Sequence, residues 1–404
     1  MEGGSPKKRI FYAQKGDPMR PVVGIICEYD PFHRGHAHQF ELIRKQLPNA
    51  LIVCLMSGCF TQRGTPAVHQ PRVRAEAALH AGADLVLELP AAFAVRDAEH
   101  FALGGVEILT KLCFVTHLSF GAEDDELPML QQAAALLESP TAAFENALHA
   151  VLAEGRSFAA AQGSALGHCL GDEERWGRPN NILALCYLRA IRRLNSPLLP
   201  LPVRREGDYH ARTLDANPWP SASAVRQALL NGNPAAANAA CGYELPLSPI
   251  CRPDALDQLL LWKLRSASAA QLALLPDCSE GLENRLKVCA GQSSSREELL
   301  SQLKTRRYAH ARLSRLCTHA LLNITADFLV QNTHPTYVRL LGLRREASEM
   351  TILFKQSSLA LLSKAANGNE DDPLFQLDLR AYELWSLGAK LPGGLMFRQG
   401  VAVI

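Results

Sequence analysis

The chain of 404 residues lacks the features of membrane-spanning and secreted proteins. No run approaches the ~18 uncharged apolar residues that span a bilayer. Residues 1–19 carry charges and turn formers instead of the apolar core of a secretory signal, so we expect a flexible extension there. The eleven cysteines include no Cys-x-x-Cys pair, so we expect no metal site, only reduced thiols in a cytoplasmic protein.

Several nucleotide-binding signatures are also absent. No Gly-x-x-x-x-Gly-Lys-Ser/Thr loop occurs, and no clean Gly-x-Gly-x-x-Gly follows a predicted strand, which excludes P-loop enzymes and dinucleotide dehydrogenases. The net charge is only +2, so any affinity for nucleic acid must come from local patches. In contrast, the hydrophobic content of 48% supplies a sizeable core and excludes a disordered chain.

Short apolar runs alternate with helical patterns over the first 121 residues, which predicts an α/β fold with a Rossmann-like parallel sheet. The predicted strands are Val22–Cys27, Leu51–Met56, Leu85–Leu89 and Val115–Phe120, with a proline-containing edge strand at Leu198–Val203. Helices are predicted at His36–Gln46, Leu130–Glu154 and Asn181–Leu194. Helical patterns dominate later, so we expect an α/β domain over 20–235 and a mostly α-helical domain over 236–404.

A His-x-Gly-His motif stands where the first predicted strand passes into a helix. Helix N-termini at this edge of a parallel sheet offer free N–H groups to anions. His33 and His36 lie three residues apart and can face one phosphate, while Gly35 lets a nucleotide approach the backbone. The pattern favours stabilisation of charge on an α-phosphate during displacement over two surface histidines in a turn.

A second motif, SASAVR, opens a predicted helix at Ser221. Serines at this position are commonly helix caps. Together with the histidine motif, however, Ser223 and Arg226 form a pair that would hold the leaving pyrophosphate.

The two motifs together resemble the His-x-Gly-His nucleotidylyltransferase superfamily. Further segments, in order along the chain, are similar to the bacterial tRNA(Met) cytidine acetate ligases. These segments are EYDPFHRGH from Glu28, MSGCFTQRGTPA from Met56, GADLVLELP from Gly82, SFGAED from Ser119, PNNIL from Pro179, REGDYH from Arg205, RRYAHARLSRLCTHALLNIT from Arg306 and YVRLLG from Tyr337.

This resemblance implies an ATP-dependent ligase. Members form acetyl-adenylate from acetate and then acetylate the wobble cytidine of elongator tRNA(Met), which gives N4-acetylcytidine. The implied ligands are ATP, with Mg²⁺ on its phosphates, acetate and the tRNA, and no protein partner or membrane is implied. The alternatives are an adenylyltransferase that acts on a small molecule, or an RNA-binding protein whose nucleotide site has decayed.

The resemblance also implies the residues that bind ATP. Gly121, Asn180 or Asn181, and Arg205 or Arg204 would lie against the nucleotide. A helix cap is the alternative for the asparagines, and solvated charges are the alternative for the arginines. Where the family usually has Asn, this chain has Asp30, Arg34 and Cys59. The implied ATP loop is Ile26, Cys27, Glu28, Tyr29, Asp30, Pro31, Phe32, His33, Arg34, Gly35, His36, Ala37, His38 and Gln39.

Basic residues are concentrated between positions 301 and 345, where Asp327 is the one formal acid. Tyr308, His310 and Tyr337 are interleaved with them and offer ring faces to unpaired bases. A charged amphipathic helix with an apolar core face produces the same pattern, and one helix can serve both purposes. The predicted RNA-binding residues are Arg63, Lys304, Arg306, Arg307, Arg312 and Arg315.

Overall fold

The computed structural model describes residues 20–205, 214, 219–305, 308–348 and 350–404. The predicted extension over 1–19 therefore lies outside the described residues. The strands within these ranges are β1 (Val22–Cys27), β2 (Leu51–Ser57), β3 (Leu85–Leu89), β4 (His117–Ala122), β5 (Leu199–Arg204), β6 (Tyr337–Leu343), β7 (Ala360–Leu362) and β8 (Ala402–Val403).

Helices surround the strands, and none of the described ones is both long and apolar enough to cross a membrane. They are α1 (Arg34–Gln46), α2 (Pro71–His80), α3 (Ala91–Ala94), α4 (Ala98–Lys111), α5 (Leu127–Glu138), α6 (Ala142–Ala153), α7 (Phe158–Leu170), α8 (Glu173–Gly177), α9 (Pro179–Arg193), α10 (Ala222–Leu230), α11 (Pro234–Cys241), α12 (Asp257–Ser266), α13 (Ala269–Ala273), α14 (Leu282–Gln292), α15 (Arg296–Leu303), α16 (His310–Leu322), α17 (Ala326–Gln331), α18 (Met350–Leu353), α19 (Pro373–Gly388) and α20 (Leu395–Arg398).

One mixed sheet organises the molecule, with the order β5-β4-β1-β2-β3-β6-β7 and with β8 paired to β6. Strands β1 to β5 pair in parallel, and β6 runs antiparallel to β3. The predicted α/β class is confirmed. The chain moves from β1 to β2 and β3 on one side and returns to β4 and β5 on the other. The carboxyl ends of β1 and β4 therefore form the switch point at which such sheets bind ligands.

The predicted elements are present with ends that shift by up to three residues, and one predicted helix is divided. Strand β4 begins at His117, two residues after the predicted start. The predicted helix Leu130–Glu154 is two helices, α5 and α6, separated at Ser139 and Pro140. Proline disfavours a helical conformation in the residue before it, and Thr141 then caps α6 through the N–H of Phe144.

The second half of the chain is mostly helical, but it also completes the sheet. Strand β6 is buried along its whole length and pairs with β3. A buried ion pair joins the two strands, with Arg339 Nη1 2.9 Å from Glu88 Oε2. The division at residue 235 remains a prediction, and the part that follows it shares the sheet of the first part.

The loop after β2 is held against this second half by its backbone. The carbonyl of Arg63 accepts a hydrogen bond from Ser314 Oγ at 2.6 Å. The carbonyl of Gly64 accepts hydrogen bonds from Thr318 Oγ1 at 2.6 Å and from the buried guanidinium of Arg296. Helices α15 and α16 therefore fix the position of this loop. The loop follows β2, whose carboxyl end lies next to β1 at the switch point.

Gly64 permits this close approach, so its replacement should destabilise the protein. Its φ is +73°, and a Cβ would lie 2.6 Å from Arg315 Cα. We expect Gly64→Ala to lower the free energy of unfolding by about 3 kcal/mol, from backbone strain and steric overlap combined.

Gly155 is the matched control, because its φ is +77° and no described atom beyond its chain neighbours lies within 4 Å of the added Cβ. Gly155→Ala should cost about 1 kcal/mol. Equal losses in urea denaturation would contradict the proposed steric role of Gly64.

Candidate active site

A cleft of about 640 Å³ lies at the switch point of the sheet. Helix α1, the ends of β4 and β5, and the segment before α10 surround it. Eight residues of the predicted ATP site line it, namely His33, Gly35, His36, His38, Gln39, Gly121, Arg204 and Arg205. The cleft therefore gathers residues that are separated by more than 150 positions in the sequence.

The two motif histidines form a reciprocal cap at the start of α1. His33 is the N-cap residue, and its Nδ1 accepts a hydrogen bond from the N–H of Gly35 at 3.1 Å. The Nδ1 of His36 accepts the N–H of His33 at 3.2 Å. The rings stack with centroids 3.8 Å apart and planes 27° apart. A Cβ on Gly35 would lie 3.0 Å from the His33 ring, so a larger residue here would displace the ring from its present position.

These two hydrogen bonds determine where the imidazole protons lie. Because Nδ1 is the acceptor in both rings, each neutral imidazole carries its proton on Nε2. His33 is 1% exposed, and its Nε2 has no partner among the described residues. The motif therefore provides two Nε2–H donors on adjacent rings in a cleft that is large enough for a ligand.

Both rings are neutral at physiological pH. Burial, together with the charges of Arg205 and Arg226, lowers the pKa of His33 to about 3. Burial also lowers the pKa of His36 well below its usual value, with further contributions from His33 and Arg205. A neutral donor stabilises charge on a phosphate without exchanging a proton with the solvent.

This burial predicts a loss of stability in acid. The unfolded His33 takes up a proton near pH 6.5 and the folded one only near pH 3, so the unfolded state is favoured progressively between these values. The contribution should reach about 2 kcal/mol at pH 5. His33→Asn keeps a capping acceptor and removes the titrating ring, so its urea midpoint should fall less between pH 7 and pH 5. The same substitution at exposed His149 is the control, and parallel curves for wild type and His33→Asn would contradict the prediction.

Arg226 reaches the ATP loop from α10. It donates to the carbonyl of Asp30 at 2.5 Å and lies 3.6 Å from Asp30 Oδ2. Asp30 is 3% exposed, and its Oδ1 accepts the N–H of Val68. The predicted partner Ser223 bonds Arg226 at 3.1 Å and is exposed. Neither Ser223 nor Arg226 is part of the cleft lining, and Arg226 reaches the site only through its contact with the ATP loop. The serine that lines the cleft is Ser221, which caps α10.

The two predicted asparagines have different surroundings, and neither lines the cleft. Asn180 Oδ1 accepts a hydrogen bond from Arg205 at 3.2 Å, and its Nδ2 donates to Glu123 at 2.6 Å. Asn181 is fully buried, and its amide makes four bonds to Glu123, Asp124 and Arg175. In this structure Asn180 positions a cleft arginine, and Asn181 stabilises the loop after β4.

The rest of the predicted loop forms the support for the histidines. Tyr29 and Phe32 pack against the His36 ring at centroid distances of 4.7 and 5.4 Å. Arg34 is exposed and points towards Gly242, just after α11, away from the cleft. The remaining loop members Ile26, Cys27, Glu28, Pro31 and Ala37 are buried or half-buried beside them.

The sequence of this chain is similar to those of known proteins. Residues 20–393 match the family described as HIGH Nucleotidyl Transferase. The tRNA(Met) cytidine acetate ligase of Syntrophomonas wolfei is 36% identical in an alignment of 395 positions that covers 91% of this chain and 94% of that protein. The chain belongs to the tRNA(Met) cytidine acetate ligase family. The ligase of Clostridium perfringens is 32% identical in an alignment of 380 positions that covers 90% of this chain and 94% of that protein.

Solved structures of the family share the whole fold. Crystal structures of Thermotoga maritima TmcAL, in apo form and bound with alpha-thio ATP, match with TM-scores of 0.85 and 0.82. Both are 26% identical in sequence, and each match covers 95% of this chain and 99% of the other. The resemblance inferred from the motifs is confirmed.

Family membership does not settle which residues contact RNA, and the predicted RNA-binding residues differ in their exposure. Arg306 and Arg307 lie outside the described residues. Arg63 and Lys304 are exposed, Arg312 is half-buried, and Arg315 is buried at 8% exposure. Tyr308 and Tyr337 are also buried, because each ring packs inside the protein, so neither presents a face to a base. His310 is the one exposed ring of the three.

One aromatic wall of the cleft was not predicted. Trp219 stacks on His38, with centroids 4.1 Å and planes 21° apart. The PWP sequence before the SASAVR motif was the signal for it, since a tryptophan next to a ligand-binding turn often provides a stacking face. Among the described residues, no group of three His, Cys, Asp or Glu side chains could hold a metal ion, and the cleft lining contains no carboxylate.

Proposed function

We propose that the protein is an ATP-dependent acetate ligase that forms acetyl-adenylate and acetylates the wobble cytidine of elongator tRNA(Met). The observation that supports it most directly is the pair of stacked, neutral imidazoles with Nε2–H donors in a cleft at the switch point. Relatives such as the Syntrophomonas wolfei protein are named tRNA(Met) cytidine acetate ligases. The Thermotoga protein, which is 26% identical to this chain, has a crystal structure with a bound ATP analogue.

In the first step, an acetate oxygen attacks the α-phosphorus of ATP, and the bond to the bridging oxygen of the pyrophosphate breaks. Negative charge accumulates on the α-phosphate oxygens as the new bond forms. Nε2–H donors of His33 and His36 would stabilise this charge without becoming charged themselves. The pyrophosphate would leave towards Arg226 and the capped turn at Ser221.

In the second step, the exocyclic amine of cytidine attacks the carbonyl carbon of the mixed anhydride. AMP leaves, and the nitrogen loses one proton. Mg²⁺ would accompany ATP through its phosphate oxygens, because no carboxylate lines the described cleft, and we assign it no protein ligand.

All eleven cysteines are free thiols, which is consistent with a reducing cytoplasm.

The proposal is tested by mass analysis of tRNA(Met) nucleosides after incubation with the protein, ATP and acetate. Acetylcytidine should form with this pair, and acetyl-coenzyme A without ATP should give none. Acetate-dependent exchange of pyrophosphate into ATP, measured without tRNA, should report the first step alone. Failure to form acetylcytidine together with absence of exchange would refute the proposed reaction.

A further inference from the structure

Three arginines meet where the loop after α3 and helix α16 come together beside the loop after β2. The loop residues Arg63 and Gly64 pack on α16 at Arg315. The Gln62 side chain donates to the carbonyl of Arg96 at 2.6 Å, and His319 on α16 contacts the carbonyl of Val95 at 2.8 Å. We call this group the arginine cluster, and its members are Arg96, Arg312 and Arg315.

Arg315 is the most unusual member. It is 8% exposed, yet its guanidinium makes no hydrogen bond or ion pair within the described chain, and its Nε is buried without a partner. A buried cation without hydrogen-bond partners is unfavourable for folding. No described carboxylate lies within ion-pair distance of this guanidinium. An anion from outside the chain would supply the missing partner.

Among the described residues, the neighbouring carboxylates Asp97 and Asp277 act on this charge without pairing directly with it. Arg96 is half-buried, and its guanidinium likewise makes no hydrogen bond or ion pair with a described residue. Arg312 is already engaged, because it donates to the carbonyl of Asp277 at 2.7 Å and stacks over the Tyr308 ring. Of the two nearby carboxylates, Asp97 caps α4 and pairs with His100 at 2.7 Å, and Asp277 is exposed without an ion-pair partner among the described residues.

We propose that Arg96 and Arg315 bind one backbone phosphate of the RNA substrate. This inference rests on the proposed function and names a contact for its second substrate. A phosphate diester supplies acceptors to two guanidinium groups at once. ATP is not the ligand, because neither arginine lines the cleft.

The position of the cluster explains why a phosphate there would matter for acetylation. The N–H of Gln62 donates to Glu28 Oε1 at 2.5 Å, and Glu28 lies five residues before His33. The same loop therefore contacts both the arginine cluster and the segment that leads to the catalytic histidines. A phosphate bound by the cluster would hold the RNA beside the ATP cleft.

The test compares tRNA(Met) binding by wild type, Arg96→Gln and Arg315→Gln at several salt concentrations. Each variant should weaken binding on the order of tenfold at low salt, and should reduce the slope of log Kd against log salt by about 1. Arg252→Gln is the control, because Arg252 is exposed and pairs with Asp254 away from the cluster. Arg315→Gln should unfold at an equal or higher temperature than wild type, because it removes an unpaired buried charge.

Acetate-dependent ATP–pyrophosphate exchange separates this proposal from the proposed function. Exchange should remain within about twofold of wild type in both variants, because neither arginine touches the ATP cleft. Affinity and salt slope equal to those of Arg252→Gln would overturn the phosphate site while leaving the catalytic proposal intact. Exchange that is absent in wild type would instead refute the catalytic proposal, and the binding curves would still decide the phosphate site.

Discussion

Replacing His36 by alanine should lower the rate of acetate-dependent ATP–pyrophosphate exchange by a factor on the order of a thousand. In the proposed mechanism the ring provides one of two neutral donors to the charge that forms on the α-phosphate. Its Nδ1 also accepts the N–H of His33 and so orients the second ring. Because both effects act mainly in the transition state, kcat should fall much more than KM for ATP rises.

The control for this prediction is His80→Ala, which removes an exposed histidine at the end of α2. It should leave the exchange rate within about twofold of wild type. A His36→Ala variant that is folded and keeps more than a tenth of the wild-type rate would contradict the assignment of a transition-state contact to this ring.

Replacing Arg226 by methionine should have two separable effects. Exchange should fall about a hundredfold, because the variant removes the cation that we propose for the leaving pyrophosphate. The free energy of unfolding should also fall by about 2 kcal/mol, because the buried carboxylate of Asp30 loses its only cationic partner among the described residues.

The double variant Asp30→Asn/Arg226→Met distinguishes these effects. Asparagine keeps the acceptor for the Val68 N–H and removes the buried charge, so stability should return to near the wild-type value. Activity should remain low. Recovery of both stability and exchange in the double variant would show that Arg226 serves only to neutralise Asp30.

The catalytic motif was predictable from the sequence because its parts are local. Strand β1, the turn and the start of α1 are consecutive in the chain, so the His-x-Gly-His pattern contains the cap geometry itself. The site position of Gly121 was predicted from the family resemblance. In the structure Gly121 lies near the end of β4, which is next to β1 in the sheet.

Long-range features were less accessible. Strand β6 lies about 250 residues after its partner β3, and no local pattern shows that an antiparallel strand returns to that edge. The basic run around α16 indicated an RNA surface with ring faces for bases, but burial depends on tertiary packing, which places the ring of Tyr308 inside. Likewise, the sequence did not show that Ser221, and not the predicted Ser223, caps α10, because both serines stand in the same short motif.

The most direct test of the account is a crystal structure of the protein with a non-hydrolysable ATP analogue. Nε2 of both His33 and His36 should lie about 3 Å from oxygens of the α-phosphate, with the terminal phosphates towards Arg226. An α-phosphate out of reach of these two nitrogens, or imidazoles turned away from each other in the complex, would contradict the mechanism.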